Sequence, residues 1–318
     1  MKANVEKAGA ITPRRRLGKE MWQSRYLYLL LLPSVFLIGL FCYGPLYGLL
    51  LAFKEYKPRL GILGSPWVGF DVFESVVTDP HFWHVFFNTI KISFLFIVFT
   101  FPVPILIALF FNELRSSKLQ KTLQTVYTFP HFLSWVILSG IFINFLDFNG
   151  PVNAVINFLG LERVTFLGEK SMFIPILLIT DIWKSAGWSS IVYLAAIAGI
   201  DAELYEAAEL DGASRWQKMF YITVPSISTT ISMLLVLRIG SLISGHFDQV
   251  FNMQNPAVSE VAETLEVYIY NYTFLQGGSF SFTTAIGLFT SVINFILLTV
   301  ANVFSKKVQG VGVLEGGK

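Results

Sequence analysis

Charged residues are distributed along the chain in blocks, and the gaps between the blocks are apolar. Residues 1–25 are polar and basic, with Lys2, Lys7, Arg14, Arg15, Arg16, Lys19 and Arg25, and no charge then occurs from Tyr26 to Phe53. About 20 consecutive apolar residues in a helix cross a bilayer, so 26–53 is predicted as a first span, with Pro33, Gly44 and Pro45 as kink points. The same reading places spans at Val85–Phe111, Thr128–Leu146, Met172–Ile200, Ser226–Gly245 and Phe282–Phe304. Polar loops at 54–84, 147–170 and 246–281 separate them. Asn149-Gly150-Pro151 is a turn signal.

One charged island, residues 201–225, interrupts this pattern between the fourth and fifth spans. Asp201 is placed to cap a short helix that carries Leu204, Ala207 and Ala208 on one face. Gly212 supplies a left-handed or flexible stop. Ser214-Arg215-Trp216-Gln217 fits a capping box for a second helix, and Pro225 ends that helix or opens the next.

Composition turns the pattern into a class. The chain is 54% hydrophobic and 14% charged, with 31 Phe and a mean hydropathy of +0.61; soluble domains carry about 25% charged residues. A polytopic membrane protein follows. Cys42, the single cysteine, excludes an intrachain disulfide. Arg14-Arg15-Arg16 precedes an apolar run too long for a cleavable signal and reads as a signal anchor. Fifteen basic residues fall on the N-terminal side of the predicted spans and five (Lys54, Lys57, Arg59, Arg163, Lys170) on the other. That bias puts both termini and the 201–225 island in the cytoplasm.

Glu206-Ala207-Ala208, then Gly212, Ile222 and Val224-Pro225 at fixed spacing, resembles the EAA loop of membrane permease subunits of bacterial ATP-binding-cassette importers. Asp211 beside Gly212, with Ala213, Phe220 and Pro225, is similar to the carbohydrate-uptake branch. Phe247-Asp248-Gln249-Val250-Phe251, Asn255-Pro256, Glu263-Thr264 and Tyr268-Ile269-Tyr270 look like the loop before the last span in sugar permeases. Asn255-Pro256-Ala257-Val258 and Thr284–Phe289 resemble the branch that imports oligosaccharides, some derived from polysaccharides. The resemblance implies an all-α integral membrane protein of six transmembrane helices in the type I importer architecture. Its parts would be a basic tail (1–25), a transmembrane domain (26–304) with a coupling loop at 201–225, and a C-terminal tail (305–318). It further implies a multi-pass place in the bacterial cytoplasmic membrane, a second homologous permease subunit, two ATPase subunits and an extracytoplasmic binding protein that delivers sugar. Coupling to an ATPase would fall to Glu206, Ala207, Ala208, Asp211, Gly212, Ala213, Phe220, Ile222 and Pro225.

No phosphate-binding loop is present, since Gly18-Lys19 is followed by Glu20 and lacks the upstream glycine. ATP and magnesium would therefore be bound by the partner ATPase, with no cofactor in this chain. No catalytic or metal constellation and no nucleic-acid signature is found; His81 and His84 have ligand-like spacing but no third ligand. The remaining candidate chemistry is intramembrane charge, which is expensive and tends to face a bundle interior or a wet cavity. Asp181, Lys184 and Trp188 share one face of the fourth span. They form either a self-neutralising packing pair or a sugar-binding wall with Trp188 as stacking platform. Arg238 either pairs with Asp181 or points into the pathway, where an acidic sugar would suit it. Ser291 and Asn294 lie on a polar stripe with Thr284 and Gly287, which serves either packing or substrate. Asn88 and Lys91 pose the same choice. A non-sugar cargo keeps the class, whereas an ion-driven carrier predicts inverted halves with interrupted helices, and no such symmetry is visible.

Overall fold

A computed structural model describes residues 21–114 and 116–309. The basic residues Lys2 to Lys19, Arg115 and Lys318, and with them most of the N-terminal tail and the end of the C-terminal tail, lie outside the described residues. Those described form helices and connecting turns, with one isolated antiparallel bridge between Lys54 and Trp67.

In chain order the longer helices are α1 (Arg25–Phe53), α2 (Asp71–Thr78), α3 (Pro80–Asn112), α4 (Ser117–Thr128), α5 (Trp135–Phe158), α6 (Lys170–Ala198), α7 (Ala202–Leu210), α8 (Arg215–Ser226), α9 (Ser228–Gly240), α10 (Phe247–Met253), α11 (Leu265–Tyr270) and α12 (Phe280–Gln309). Four of them, α1, α3, α5 and α12, are long and apolar enough to cross a membrane, and the bent α8–α9 pair makes a fifth. α6 is 29 residues long. Asp181, Lys184, Ser185, Ser189 and Ser190 keep it outside that apolar group.

Local chemistry explains where boundaries depart from the hydropathy reading. α3 begins at Pro80 rather than Val85 because Asp79 accepts the His81 backbone N–H at 2.9 Å and Pro80 opens the first turn. α1 passes from α-helix to a π segment at Gly39–Tyr43 and then to a 3-10 helix at Gly44–Phe53, since Pro45 brings no N–H to the α-helical ladder. The residues after the second span form α4, a 12-residue amphipathic helix capped by Ser116, rather than a bare connection. α5 turns at Asp147–Gly150 and resumes at Pro151. The fifth span is not one run over Ser226–Gly245: α8 and α9 meet at a 56° bend, where Ile227 leaves the helical region next to Pro225.

α3 runs through all three apolar clusters of the interior. Phe82, Val85 and Phe86 pack with Ala285 and Ile286 of α12. Ile92 and Phe96 pack with Phe173 and Leu177 of α6 and Val250 of α10. Ala108 and Leu109 pack with Tyr193 and Ile197 of α6 and Ile227 at the bend. By contrast α1 buries nothing along its apolar window. An unburied apolar face of this length in water would oppose folding, whereas in a hydrocarbon layer it needs no partner. Two glycines set close approaches: a Cβ at Gly187 of α6 would lie 2.2 Å from the Tyr127 carbonyl oxygen, and one at Gly240 would lie 2.6 Å from Leu298.

Candidate functional site

A half-open cavity of about 660 Å³ lies beside the middle of α6, and Asp181, Trp188, Arg238, His131, His246 and Glu266 are among its lining. α6 contributes Asp181 and Trp188, two turns apart on one helix face. α9 contributes Arg238, and the turn after it contributes His246. The aromatic wall is built from two elements, because the Trp188 and His131 rings stack with centroids 4.7 Å apart and planes 1° apart. Phe132 meets Trp188 edge-on at 5.7 Å.

Lys184 does not share this cavity. Its ammonium donates to the backbone carbonyls of His131 (2.9 Å) and Leu133 (2.7 Å) and lies 5.6 Å from the Trp135 ring centroid. It thereby satisfies carbonyls at the turn before α5 and fixes the segment that carries His131. Asp181 accepts from Ser185 Oγ at 3.2 Å, and among the described residues neither Lys184 nor Arg238 forms an ion pair with it. Arg238 instead places Nη2 3.4 Å from Nε2 of His246. Since guanidinium only donates, Nε2 is the acceptor and His246 is neutral there.

Ser291 and Asn294 lie outside the cavity lining. Ser291 Oγ donates to the Gly287 carbonyl in its own helix (2.8 Å). Asn294 accepts the Ile243 backbone N–H at 3.1 Å and donates to Ser244 Oγ at 2.8 Å, stapling the end of α9 to α12. Asn88 donates to the Glu260 carbonyl at 2.7 Å.

The segment from 246 to 278 is tied to the spans by specific polar contacts. Gln249, fully buried, donates to the Leu177 carbonyl (2.8 Å) and Thr180 Oγ1 (2.9 Å). Thr89 Oγ1 accepts the Leu265 N–H at 2.9 Å. His81 meets Glu263 at 3.1 Å, and Lys170 pairs with Glu260, whose carboxyl is held below the usual range first by that hydrogen bond and then by the ammonium charge.

α7 and α8 form a hairpin whose ends are closed by local bonds. Asp201 accepts the Glu203 N–H at 3.0 Å. The C-terminal end is a Schellman motif, with Ala213 N–H on the Ala208 carbonyl (2.9 Å), Gly212 N–H on the Glu209 carbonyl (3.0 Å) and Gly212 at φ +76°. Ser214 and Gln217 form the reciprocal capping box. Tyr205 OH and Thr223 Oγ1, 2.8 Å apart, join the two helices, as does Lys218 donating to Glu209 at 2.5 Å. No residue of α7 is buried, and Leu210 is 90% exposed. Glu206, Ala207 and Asp211 are exposed, Ala208 and Ala213 half-buried. Phe220 and Ile222 lie on the π turn of α8 with Phe220 exposed, and Pro225 precedes the bend.

His131, His246 and Glu266 were not singled out by sequence reasoning as cavity residues. His131 is 57 residues from Trp188, and only folding brings the two rings together. A weak sign for His246 was the preceding Gly245, a pair that invites a turn.

Residues 100–310 match the family model for the binding-protein-dependent transport system inner membrane component. The chain belongs to that family. It is similar to the polygalacturonan/rhamnogalacturonan transport system permease protein YteP of Bacillus subtilis strain 168, at 41% identity over 301 residues covering 94% of each chain. Among solved structures it is similar to a chain of a bacterial ABC transporter involved in the import of the acidic polysaccharide alginate. The TM-score is 0.85 at 39% identity, covering 92% of this chain and 99% of that one. A chain of the alginate ABC transporter in complex with its alginate pentasaccharide-bound periplasmic protein matches at the same TM-score and identity, covering 94% of this chain and 100% of that one.

Proposed function

We propose that this chain is the permease subunit of an ATP-binding-cassette importer that moves a sugar, an oligosaccharide in particular, across the bacterial cytoplasmic membrane. The observation that carries the reading is the cavity beside α6. In a body whose helices are apolar on the outside, it gathers Asp181, Arg238 and a stacked Trp188–His131 pair, the chemistry that binds hydroxyls and a pyranose face. α6, fourth in chain order, completes the set of six spans, with Asp181 facing this cavity and Lys184 turned to the carbonyls before α5 rather than to lipid.

The capped, exposed hairpin α7–α8 supports a coupling role. A short helix closed at both ends moves as a rigid body and transmits a displacement that a loose loop would dissipate. Glu206, Ala207, Ala208, Asp211, Gly212, Ala213, Phe220, Ile222 and Pro225 are assigned to docking on an ATPase subunit and to holding the hairpin's shape. The excess of basic residues puts the hairpin and both termini in the cytoplasm. Two ATPase subunits then bind ATP and magnesium, a second homologous permease completes the pathway, and an extracytoplasmic binding protein delivers the sugar. The complex of the alginate transporter with its periplasmic protein supports that last assignment.

The test is reconstitution of the four kinds of subunit in proteoliposomes, with uptake of labelled trisaccharides of galacturonate, mannuronate and glucose followed with and without ATP. ATP-dependent accumulation that needs this chain is expected. Uptake by this chain alone under an ion gradient would overturn the reading.

A further inference from the structure

Three neighbouring positions of α6 hold one short stretch of backbone. Lys184 Nζ donates to the carbonyls of His131 and Leu133, and the Trp188 ring stacks on that of His131. At Gly187 the Tyr127 carbonyl comes so close that a Cβ would lie 2.2 Å from its oxygen. Positions 184, 187 and 188 share a helix face, and the backbone they hold joins α4 to α5. There Phe129–Phe132 forms a 3-10 turn, and Leu133 and Ser134 are extended. Pro130 brings no N–H to a helical ladder, and Ser134 caps α5 by accepting the Ile137 N–H. The helix therefore ends at Thr128 and restarts at Trp135.

The depth of this break follows from α6. Lys184 is the middle residue of Lys170–Ala198, a helix about 44 Å long at 1.5 Å per residue. Carbonyls bound to Lys184 therefore lie near the bilayer centre. From there Trp135–Leu146 rises about 18 Å, enough for the outer half of a core about 30 Å thick. The 12 residues of α4 have the same length and cover the inner half. Residues 122–146 carry no Lys, Arg, Asp or Glu. We propose that the third span is a discontinuous helix, α4 followed by Trp135–Leu146, and that its break at Phe129–Ser134 is a hinge between the Trp188–His131 wall and α4. This rests on the reading of α6 as a span and of the cavity as the sugar pathway.

The break carries the marks of a segment with a second arrangement. Thr128 Oγ1 and His131 Nδ1 are two of the four buried side-chain polar atoms without a hydrogen-bond partner among the described residues. Unmet buried polar atoms are costly, so two of them three residues apart favour a rearrangement that supplies partners. Irregular backbone inside a bilayer is tolerated where it is buried in protein or lines a wet cavity. Here Lys184 covers the carbonyls and His131 faces the cavity. At its other end α4 begins at Ser117, just past Glu113. Phe110 and Glu113 line a groove with Arg215, Trp216 and Met219 of α8. A displacement of α4 thus reaches the hairpin assigned to the ATPase.

The experiment uses the complete transporter in proteoliposomes, with Cys42→Ala and nitroxide labels on Leu119→Cys and Ile141→Cys. These two positions are exposed and lie on opposite sides of the break. Pulsed electron spin resonance measures the distance between the labels without nucleotide, and again with ATP and vanadate beside the binding protein. That protein is loaded with whichever of the galacturonate, mannuronate or glucose trisaccharides the complex takes up. A hinge is expected to change the distance by about 5 Å, one helical pitch, whereas a rigid span carries both labels together. Pro130→Ala with Ser134→Ala supplies the missing N–H and removes the cap, and is expected to abolish the change. In that variant, stimulation of ATP hydrolysis by the loaded binding protein should fall roughly fivefold or more. Unstimulated hydrolysis and melting temperature should hold, a split that a merely structural break would not give. An unchanged distance between the two states, or full stimulation in a variant whose distance no longer changes, would overturn the proposal. Should the double variant fail to assemble, the label distance decides alone. If the distance changes but none of the three trisaccharides is taken up, the hinge stands and the reading of the pathway fails.

Discussion

The ammonium of Lys184 sits 2.9 Å from the carbonyl oxygen of His131, 53 residues away in the chain, and not on Asp181 one turn earlier in its own helix. This contact, with its twin to Leu133, decides the geometry of the aromatic wall. It fixes the backbone under His131, and His131 stacks on Trp188. Asp181 is left to the cavity.

Replacing Lys184 by Met keeps the length and removes the donor. Two half-buried carbonyls then lose their partner, and an unmet polar group costs up to about 1–3 kcal/mol when it is fully buried. Thermal unfolding in detergent is expected to begin several degrees lower, and the Trp188–His131 stack should loosen. Unchanged stability would mean that water replaces the ammonium without loss.

Gly187 and Gly287 should differ sharply as alanine variants. At Gly187 a methyl would lie 2.2 Å from a backbone oxygen of Tyr127, which no side-chain rotation relieves, whereas nothing lies within 4 Å of a methyl at Gly287. Gly187→Ala is expected to destabilise by about 1–3 kcal/mol or to prevent assembly, and Gly287→Ala to be silent. Yield and melting temperature of the two variants, measured together, check this.

The α7–α8 hairpin has a pH dependence of defined sign. Lys218 holds the Glu209 carboxyl below its usual range, first by hydrogen bond and then by charge. A carboxyl with a depressed folded-state pKa contributes above its unfolded value and loses that contribution as pH falls through the folded one. Hydrogen-exchange protection of the hairpin, corrected for intrinsic rates, should be flat from pH 6 to 8 and fall only below the ordinary carboxylate range. Glu209 is exposed and Lys218 half-buried, so high salt should weaken the pair in part. Glu209→Gln should remove the acid-side loss.

Much of this architecture was legible because membrane spans and helix caps are local. Asp201, Gly212 and Ser214–Gln217 act where they stand in the chain, and the structure uses each as its side chain or missing side chain dictates. The first, fourth and sixth spans were legible to within about five residues, whereas caps moved the start of the second from Val85 to Pro80 and that of the long helix in the third from Thr128 to Trp135, where Ser134 caps α5. The bend at Ile227 was not, because Pro225 is equally compatible with a helix start and a kink. The polar partners were the least legible. Spacing alone put Asp181, Lys184 and Trp188 on one face, yet a long lysine side chain reaches round the helix to carbonyls on another element. Asn294, on a stripe that fits either packing or substrate, turns out to staple the end of α9. Such choices depend on contacts between elements 50 or more residues apart, which no local pattern encodes.

On the proposed reading, the exposed hairpin is the place where ATP hydrolysis by a partner meets the movement of this chain. Ala207 is exposed on α7, a helix in which no residue is buried. The most direct measurement is therefore sugar uptake and sugar-stimulated ATP hydrolysis by the reconstituted complex carrying Ala207→Trp, beside its level in the membrane. The account predicts normal membrane insertion with both activities lost. Full uptake with Trp at that position would contradict it.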